Sequence, residues 1–194
     1  MSKKAYMRST EDRRIILIWE ISCTLFVIGF GSVLHFIYGW TNHSSIIGLF
    51  APVNESVWEH LKLGFWSLMI FSIPEYFFIG KKVKNFFIAK WSGVLALEIV
   101  IIAVFYTYTA ILKKHLLFID IGSYVAGAIV CQIIATQIFI KTKQSKQGNA
   151  FAIFGIMVIV FILMLFTYIA PRIPIFKDNN TGEYGAKWGI ETMK

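Results

Sequence analysis

The residues best equipped for chemistry stand close together. The stretch Ala51–Lys62 reads Ala-Pro-Val-Asn-Glu-Ser-Val-Trp-Glu-His-Leu-Lys and places Glu55, Glu59, His60 and Lys62 within eight positions. An imidazole beside carboxylates can move protons as a general acid or base. The same residue types can hold a divalent metal. A long apolar segment begins at this point, and charged groups are costly against lipid, so the cluster calls for a partner or a purpose. His35 and Asp120 lie at the ends of other apolar segments and extend the set.

Helical spacing divides the cluster. Glu55 and Glu59 are four apart and share a helix face, which Trp66 roughly continues. His60 points about 100° away, on the side of Ser56, Gly64 and Ser67. Ordinary structural roles compete with chemistry. Ser56-Val-Trp-Glu59 has the form of a capping box, acids in a first turn complement the helix dipole, and Glu59 with Lys62 makes an i, i+3 pair. Capping leaves His60 unexplained. The ordinary role for His35 is a hydrogen-bonded packing histidine, and for Asp120 a helix N-cap. His43 and His115 read as solvated loop residues.

Three polar groups lie deeper. Glu20 reads as snorkelling toward Arg13 or Arg14. Glu98 and Gln132 are candidates for an ion or proton relay, against a neutral Glu98 hydrogen-bonded to Gln132 or Glu20. Cys23 and Cys131 read as small buried apolar residues.

These groups need elements to position them, and the composition says what kind. The chain has 194 residues, of which 57% are hydrophobic and 15% charged, with a mean hydropathy of +0.65. That balance predicts an all-α, multi-pass membrane protein. Five segments reach the roughly 20 apolar residues a spanning helix needs. They run over about 15–38, 57–79, 86–112, 116–140 and 150–170, with a tail at 171–194. Their short connections predict a single membrane domain over 1–194, folded as a compact five-helix bundle. The first span reads as an uncleaved anchor, because no small-residue cleavage site follows it. Residues 45–53 are apolar but too short to cross and read as a re-entrant or interfacial turn. Turn signals dominate after Pro171, and Tyr184 and Trp188 could anchor that tail at the membrane surface.

The net charge of +8 does not point to nucleic acid, because the basic residues flank apolar segments instead of forming one patch. Twelve Lys and Arg, including Arg13, Arg14, Lys81, Lys82, Lys84, Lys90, Lys141, Lys143 and Lys146, fall on one side of the predicted membrane. Six fall on the other: Lys113, Lys114, Arg172, Lys177, Lys187 and Lys194. The positive-inside rule then predicts a cytoplasmic N-terminus, an extracellular C-terminus and a location in the plasma membrane. All four histidines, with Glu55, Glu59, Asp120, Asp178, Glu183 and Glu191, fall in the outer half.

His35-Phe-Ile-Tyr38, Gly48-Leu-Phe-Ala-Pro-Val-Asn-Glu-Ser-Val-Trp-Glu-His-Leu-Lys62 and Pro171-Arg-Ile-Pro-Ile-Phe-Lys-Asp178, with Thr181-Gly and Tyr184-Gly185, resemble a family of small bacterial multi-pass membrane proteins of unknown function. Ala170 departs from that pattern, which has Pro there. The resemblance spans almost the whole chain and implies no reaction, ligand or cofactor.

Three functions compete. The first is an outward-facing pocket of His35, Asn54, Glu55, Glu59, His60 and Asp120 that binds or transports a small or lipid-derived ligand, with Glu98 and Gln132 as the inward route. The second is an outer-leaflet enzyme, a metal-dependent hydrolase among the options, with His35 and His60 as candidate metal ligands. The third is a scaffold or accessory subunit. No Walker, H-E-x-x-H, G-x-S-x-G or C-x-x-C motif is present, and Asp178–Glu183 lacks the residue placement of a calcium loop, so it reads as a turn.

Overall fold

The computed structural model describes residues 9–186. Lys3, Lys4, Arg8, Lys187, Trp188, Glu191 and Lys194 lie outside the described residues. The chain forms α1 (Thr10–Trp40), a single turn α2 (Ser45–Gly48), α3 (Val57–Glu75), α4 (Phe86–Leu112), α5 (Leu117–Lys141) and α6 (Lys146–Tyr168). A π-helical turn, Tyr76–Gly80, continues α3, and a 3-10 turn, Pro174–Phe176, sits in the tail. Among the described residues there is no strand, only an isolated bridge between Lys177 and Tyr184. Five helices, α3 counted with its π-turn, are long and apolar enough to cross a membrane.

Local chemistry sets several ends. Ser9 caps α1 by accepting from the Asp12 amide at 3.0 Å while Asp12 accepts from the Ser9 amide at 2.8 Å. That reciprocal cap starts α1 five residues before the apolar run at Ile15, so Arg13 and Arg14 are helical. Ser145 starts α6 by accepting from the Gly148 amide, four residues ahead of the apolar segment. Asn85, in the left-handed region at φ 53°, joins the neighbouring connection. Its side chain donates to Thr142 Oγ1 and the Lys143 carbonyl and accepts from the Ser145 amide.

The helices alternate in direction, so the bundle has two ends. Lys81–Asn85 and Thr142–Ser145 meet at one, the basic end. The end of α1, α2, the start of α3 and the tail meet at the other, the site end. Large apolar side chains such as Leu25, Ile111, Phe118 and Phe154 point outward and are 63–74% exposed, as lipid-facing positions should be. Small residues set the α4–α5 contact. A Cβ at Gly93 would lie 2.8 Å from Cys131 Sγ and 3.1 Å from the Cys131 carbonyl oxygen. Such close backbone approach is the usual basis of helix packing in lipid. Cys23 and Cys131 are free and fully buried.

Candidate functional site

Three side chains from two helix ends and one loop converge at the site end. His35 Nε2 lies 3.7 Å from Glu55 Oε1, and His60 Nε2 lies 3.4 Å from Glu55 Oε2. The two imidazole rings are 5.3 Å apart between centroids. One ligand atom from each of the three residues falls within 4.8 Å of the others. All three are partly exposed, with 29–42% of each side chain accessible.

The motif folds differently from a continuous helix. Ser56 is the N-cap of α3, in extended conformation, so Glu55 stands outside the helix. The shared Glu55/Glu59 face expected from i, i+4 spacing therefore does not form. Glu55 turns toward His60, and Glu59 points into the protein. The capping box is only half made. Ser56 Oγ accepts from the Glu59 amide at 3.3 Å, but the Ser56 amide donates to Asn54 Oδ1 instead. The Glu59 carboxylate accepts from the Val53 amide at 3.0 Å and from Lys62 Nζ at 2.7 Å. Lys62 also donates to the Gly48 carbonyl at 2.8 Å. The i, i+3 pair is thus real, fully buried, and ties residues 48–53 to the first turns of α3.

The tail fixes Glu55 from the other side. Asp178 Oδ2 accepts from the Glu55 amide, while Asp178 Oδ1 accepts from the amides of Asn180 and Thr181. Asn179 Nδ2 donates to the Glu55 carbonyl at 2.7 Å. Asn54 Nδ2 donates to the Gly185 carbonyl at 3.1 Å. Gly185 has φ +70°, a conformation that glycine adopts without the penalty of a Cβ. Phe176 is buried against Trp58 and Phe166, with ring centroids at 4.6 and 5.3 Å. Asp178 and Asn179 were not among the residues singled out from sequence as site groups. The sequence places Asp178 in the outer half and both residues in a turn, without marking either as a site group.

Electrostatics follow from these contacts. The His60 ring beside Glu55 holds the Glu55 carboxyl below its ordinary range. Burial pulls the other way, and His35 adds to the lowering. Burial pushes the Asp178 carboxyl up, but the Thr181, Asn180 and Glu55 amides outweigh it and hold it low. Asp120 accepts from Tyr108 Oη and adds to the field at His60. It sits in the first turn of α5, whose N-cap is Leu116, so it is not a cap.

The expected six-residue pocket is only partly assembled. His35, Glu55 and His60 come together, Asp120 acts through space on His60, and Asn54 and Glu59 hold the backbone around them. A cavity of about 310 Å³ does open at this end, but its lining includes Asn54, Asp178, Tyr38 and His43 and none of His35, Glu55, His60 or Asp120. His43 and His115 are exposed. The deeper groups also differ from expectation. Glu20 pairs with Lys90, not with Arg13 or Arg14. Gln132 Nε2 donates to Cys23 Sγ at 3.0 Å, and Glu98 Oε1 has no hydrogen-bond partner among the described residues. The buried Lys90 ammonium lies within reach of Glu20 inside the bundle, so Glu20 needs no guanidinium from the helix end. In the sequence Lys90 reads only as a topology signal, and Glu75 carries none.

The chain belongs to a family of unknown function, DUF6512, which matches residues 5–186. No curated protein and no solved structure matches it.

Proposed function

We propose that this member of the family is a metal-dependent membrane protein in which His35, Glu55 and His60 hold a divalent transition-metal ion, zinc foremost, as a hydrolytic centre. One observation carries the reading. His60 Nδ1 lies 2.8 Å from the Ser56 carbonyl oxygen. A carbonyl can only accept, so Nδ1 is the protonated nitrogen. In neutral His60 the Nε2 lone pair then faces the Glu55 carboxylate at 3.4 Å. Two acceptors then face each other, and the position between them takes a cation, a metal ion or the proton of a charged His60. His35 brings a third donor atom to the same point.

The 3.4 and 3.7 Å contacts run from the two histidines to different oxygens of Glu55, and with one donor atom per residue the set spans up to 4.8 Å. Tetrahedral neighbours on zinc stand roughly 3.3–3.4 Å apart, so the three partly exposed side chains would draw together on binding an ion. Two His and one Glu leave the fourth position for water, the arrangement of catalytic rather than structural zinc. An ion held there by His35, Glu55 and His60 would supply Lewis-acid activation of water, the chemistry that ester or amide hydrolysis needs. The Ser56 carbonyl fixes the His60 ring, and the tail fixes Glu55, as outer partners of metal ligands usually do.

We also infer that the site end faces away from the cytoplasm. Among the described residues Arg13, Arg14, Lys81, Lys82, Lys84, Lys141, Lys143 and Lys146 gather at the basic end, and Lys113, Lys114, Arg172 and Lys177 at the site end, a bias that favours this orientation.

Zinc titration of purified, chelator-stripped protein tests the centre. The expected result is one zinc per chain, with binding at least tenfold weaker in H35A, H60A and E55Q. No binding, or binding that the three variants leave unchanged, refutes it and leaves protonated histidine as the cation. Turnover of a p-nitrophenyl acyl ester by zinc-loaded protein, above the rate of H60A, tests the hydrolytic step; equal rates refute that step alone.

A further inference from the structure

A second polar assembly lies far from the site, toward the basic end. Lys90 Nζ of α4 is 3.1 Å from Glu20 Oε1 of α1 and 2.7 Å from Glu75 Oε2 of α3. All three side chains are at most 3% exposed. The rings of Phe86 and Phe139 lie 5.7 and 5.4 Å from the ammonium. At 1.5 Å per residue, Glu20 is about 7.5 Å along α1 from the start of the apolar run at Ile15.

The charges do not balance. Two carboxylates and one ammonium leave a net negative charge among buried side chains, where an uncompensated ion is expensive. Three buried oxygens also lack a donor among the described residues: Glu20 Oε2, Glu75 Oε1 and Gln132 Oε1. Both carboxylates lie on the same ammonium, which keeps them close to each other. A hard metal ion takes about six oxygen ligands, and this region has three to spare. A proton needs only two acceptors.

The backbone is irregular at the same place. Pro74 interrupts the α3 hydrogen-bond ladder, and the π-helical turn Tyr76–Gly80 begins directly after Glu75. Such π-turns recur at functional sites. A groove of about 410 Å³ opens between α1 and α5 over Glu20 and Gln132. Thr24, Thr136 and Gln137 add polar atoms to it, and Leu17, Ile21, Leu25, Ile129 and Ile133 form its apolar remainder. Along α5, exposure rises from buried Gln132 through half-buried Thr136 to exposed Gln137, toward the basic end.

We propose that Glu20 and Glu75 share one exchangeable proton beside Lys90, and that the polar stripe of the α1–α5 groove connects this proton with water at the basic end. The other titratable groups facing it are the thiols of Cys23 on α1 and Cys131 on α5. The proposal is independent of the metal reading.

The infrared carbonyl stretch of a protonated carboxyl tests it, recorded for full-length protein in lipid at neutral pH. Glu98 is removed as a second source by the E98Q background. E20Q leaves a neutral Lys90–Glu75 pair that needs no proton, so the band is lost while the fold survives. E75Q is expected to lose the same band, which keeps the test open if E20Q does not fold. A band that persists in both overturns the shared proton. In D₂O the wild-type band shifts, and T136V with Q137L slows that shift at least tenfold without removing the band. Unchanged exchange overturns the route.

Discussion

Lys62→Met removes one partner of the buried Glu59–Lys62 pair and isolates its consequences. Lys62 Nζ makes two bonds, to Glu59 Oε2 at 2.7 Å and to the Gly48 carbonyl at 2.8 Å, and is fully buried. Methionine fills similar volume, so the loss is electrostatic and not a cavity. The variant leaves Glu59 charged and buried, with only the Val53 amide, or forces it to take up a proton. Breaking a buried pair in this way costs about 3–5 kcal/mol. For a chain of this size each kcal/mol moves the thermal midpoint by roughly 2–4 °C, so a loss on the order of 10 °C is expected. Cys23 and Cys131 are fully buried and supply the assay. A thiol-reactive dye reports their exposure as detergent-solubilised protein is heated. The double variant E59L/K62M buries no charge and should recover at least half of the loss, since an apolar pair of similar volume often replaces a buried ion pair without penalty. A K62M midpoint within 2 °C of wild type, or a double variant no better than K62M, refutes the assignment of this pair to holding residues 48–53 against α3.

Acidification should release the tail. Glu55 and Asp178 both have folded pKa values below their ordinary ones, so the stability they contribute is complete above about pH 4, their unfolded range, and is lost as pH falls through the folded values. Protease cleavage after Lys177 should therefore rise only below about pH 4 in wild type, and D178N should be cleaved at neutral pH; equal protection of D178N at neutral pH refutes the clamp. If Asp178 positions Glu55, D178N also weakens zinc about 10–100-fold with less effect on the thermal midpoint than K62M; unchanged zinc affinity in a folded D178N refutes that role. Gly93→Val drives a side chain into the Cys131 backbone and should cost about 1–3 kcal/mol, whereas Gly122→Ala, with nothing within 4 Å of its added Cβ, should be silent in the same melt. A cysteine placed at Asn179 should react with a membrane-impermeant reagent in intact cells; labelling only after lysis refutes the orientation.

The five-helix architecture was legible because lipid imposes a strict rule. Each crossing segment must close its own backbone hydrogen bonds and be about 20 apolar residues long, and both requirements are visible in composition. Polar caps were less visible. Ser9 and Ser145 extend α1 and α6 beyond the apolar runs, because a capped turn needs no hydrophobicity. The site was half legible. Residue types marked His35, Glu55 and His60, but helical spacing misassigned Glu55, since the pattern cannot say that the chain is extended at Ser56. Glu75 and Lys90 were missed for a different reason. A single acid or base inside an apolar span has a meaning only through its partner, and these partners are 70 and 15 residues away from Lys90 in the chain.

Two opposed clamps account for why the motif is so polar. Any group that is to present two imidazoles and a carboxylate to one point must resist their mutual repulsion and the pull of water on each. The Glu59–Lys62 pair fixes the Gly48–Val53 turn from inside. Asp178 and Asn179 fix Glu55 from outside. Neither clamp offers a free ligand atom to the triad, and Glu55 sits between them, joined to the outer one through its backbone and to the histidines through its side chain. Glu59 therefore has the burial of a structural group and Glu55 the exposure of a working one, although both are glutamates in the same eight-residue stretch. If zinc binds, the energy of holding Glu55 in place is met in advance by the tail, and affinity should follow tail docking more closely than global stability. A series of tail variants at Asp178, Asn179 and Gly185 separates the two. Zinc affinity that tracks protease protection of the tail supports preorganisation; affinity that tracks only the thermal midpoint shows that the tail merely completes the fold.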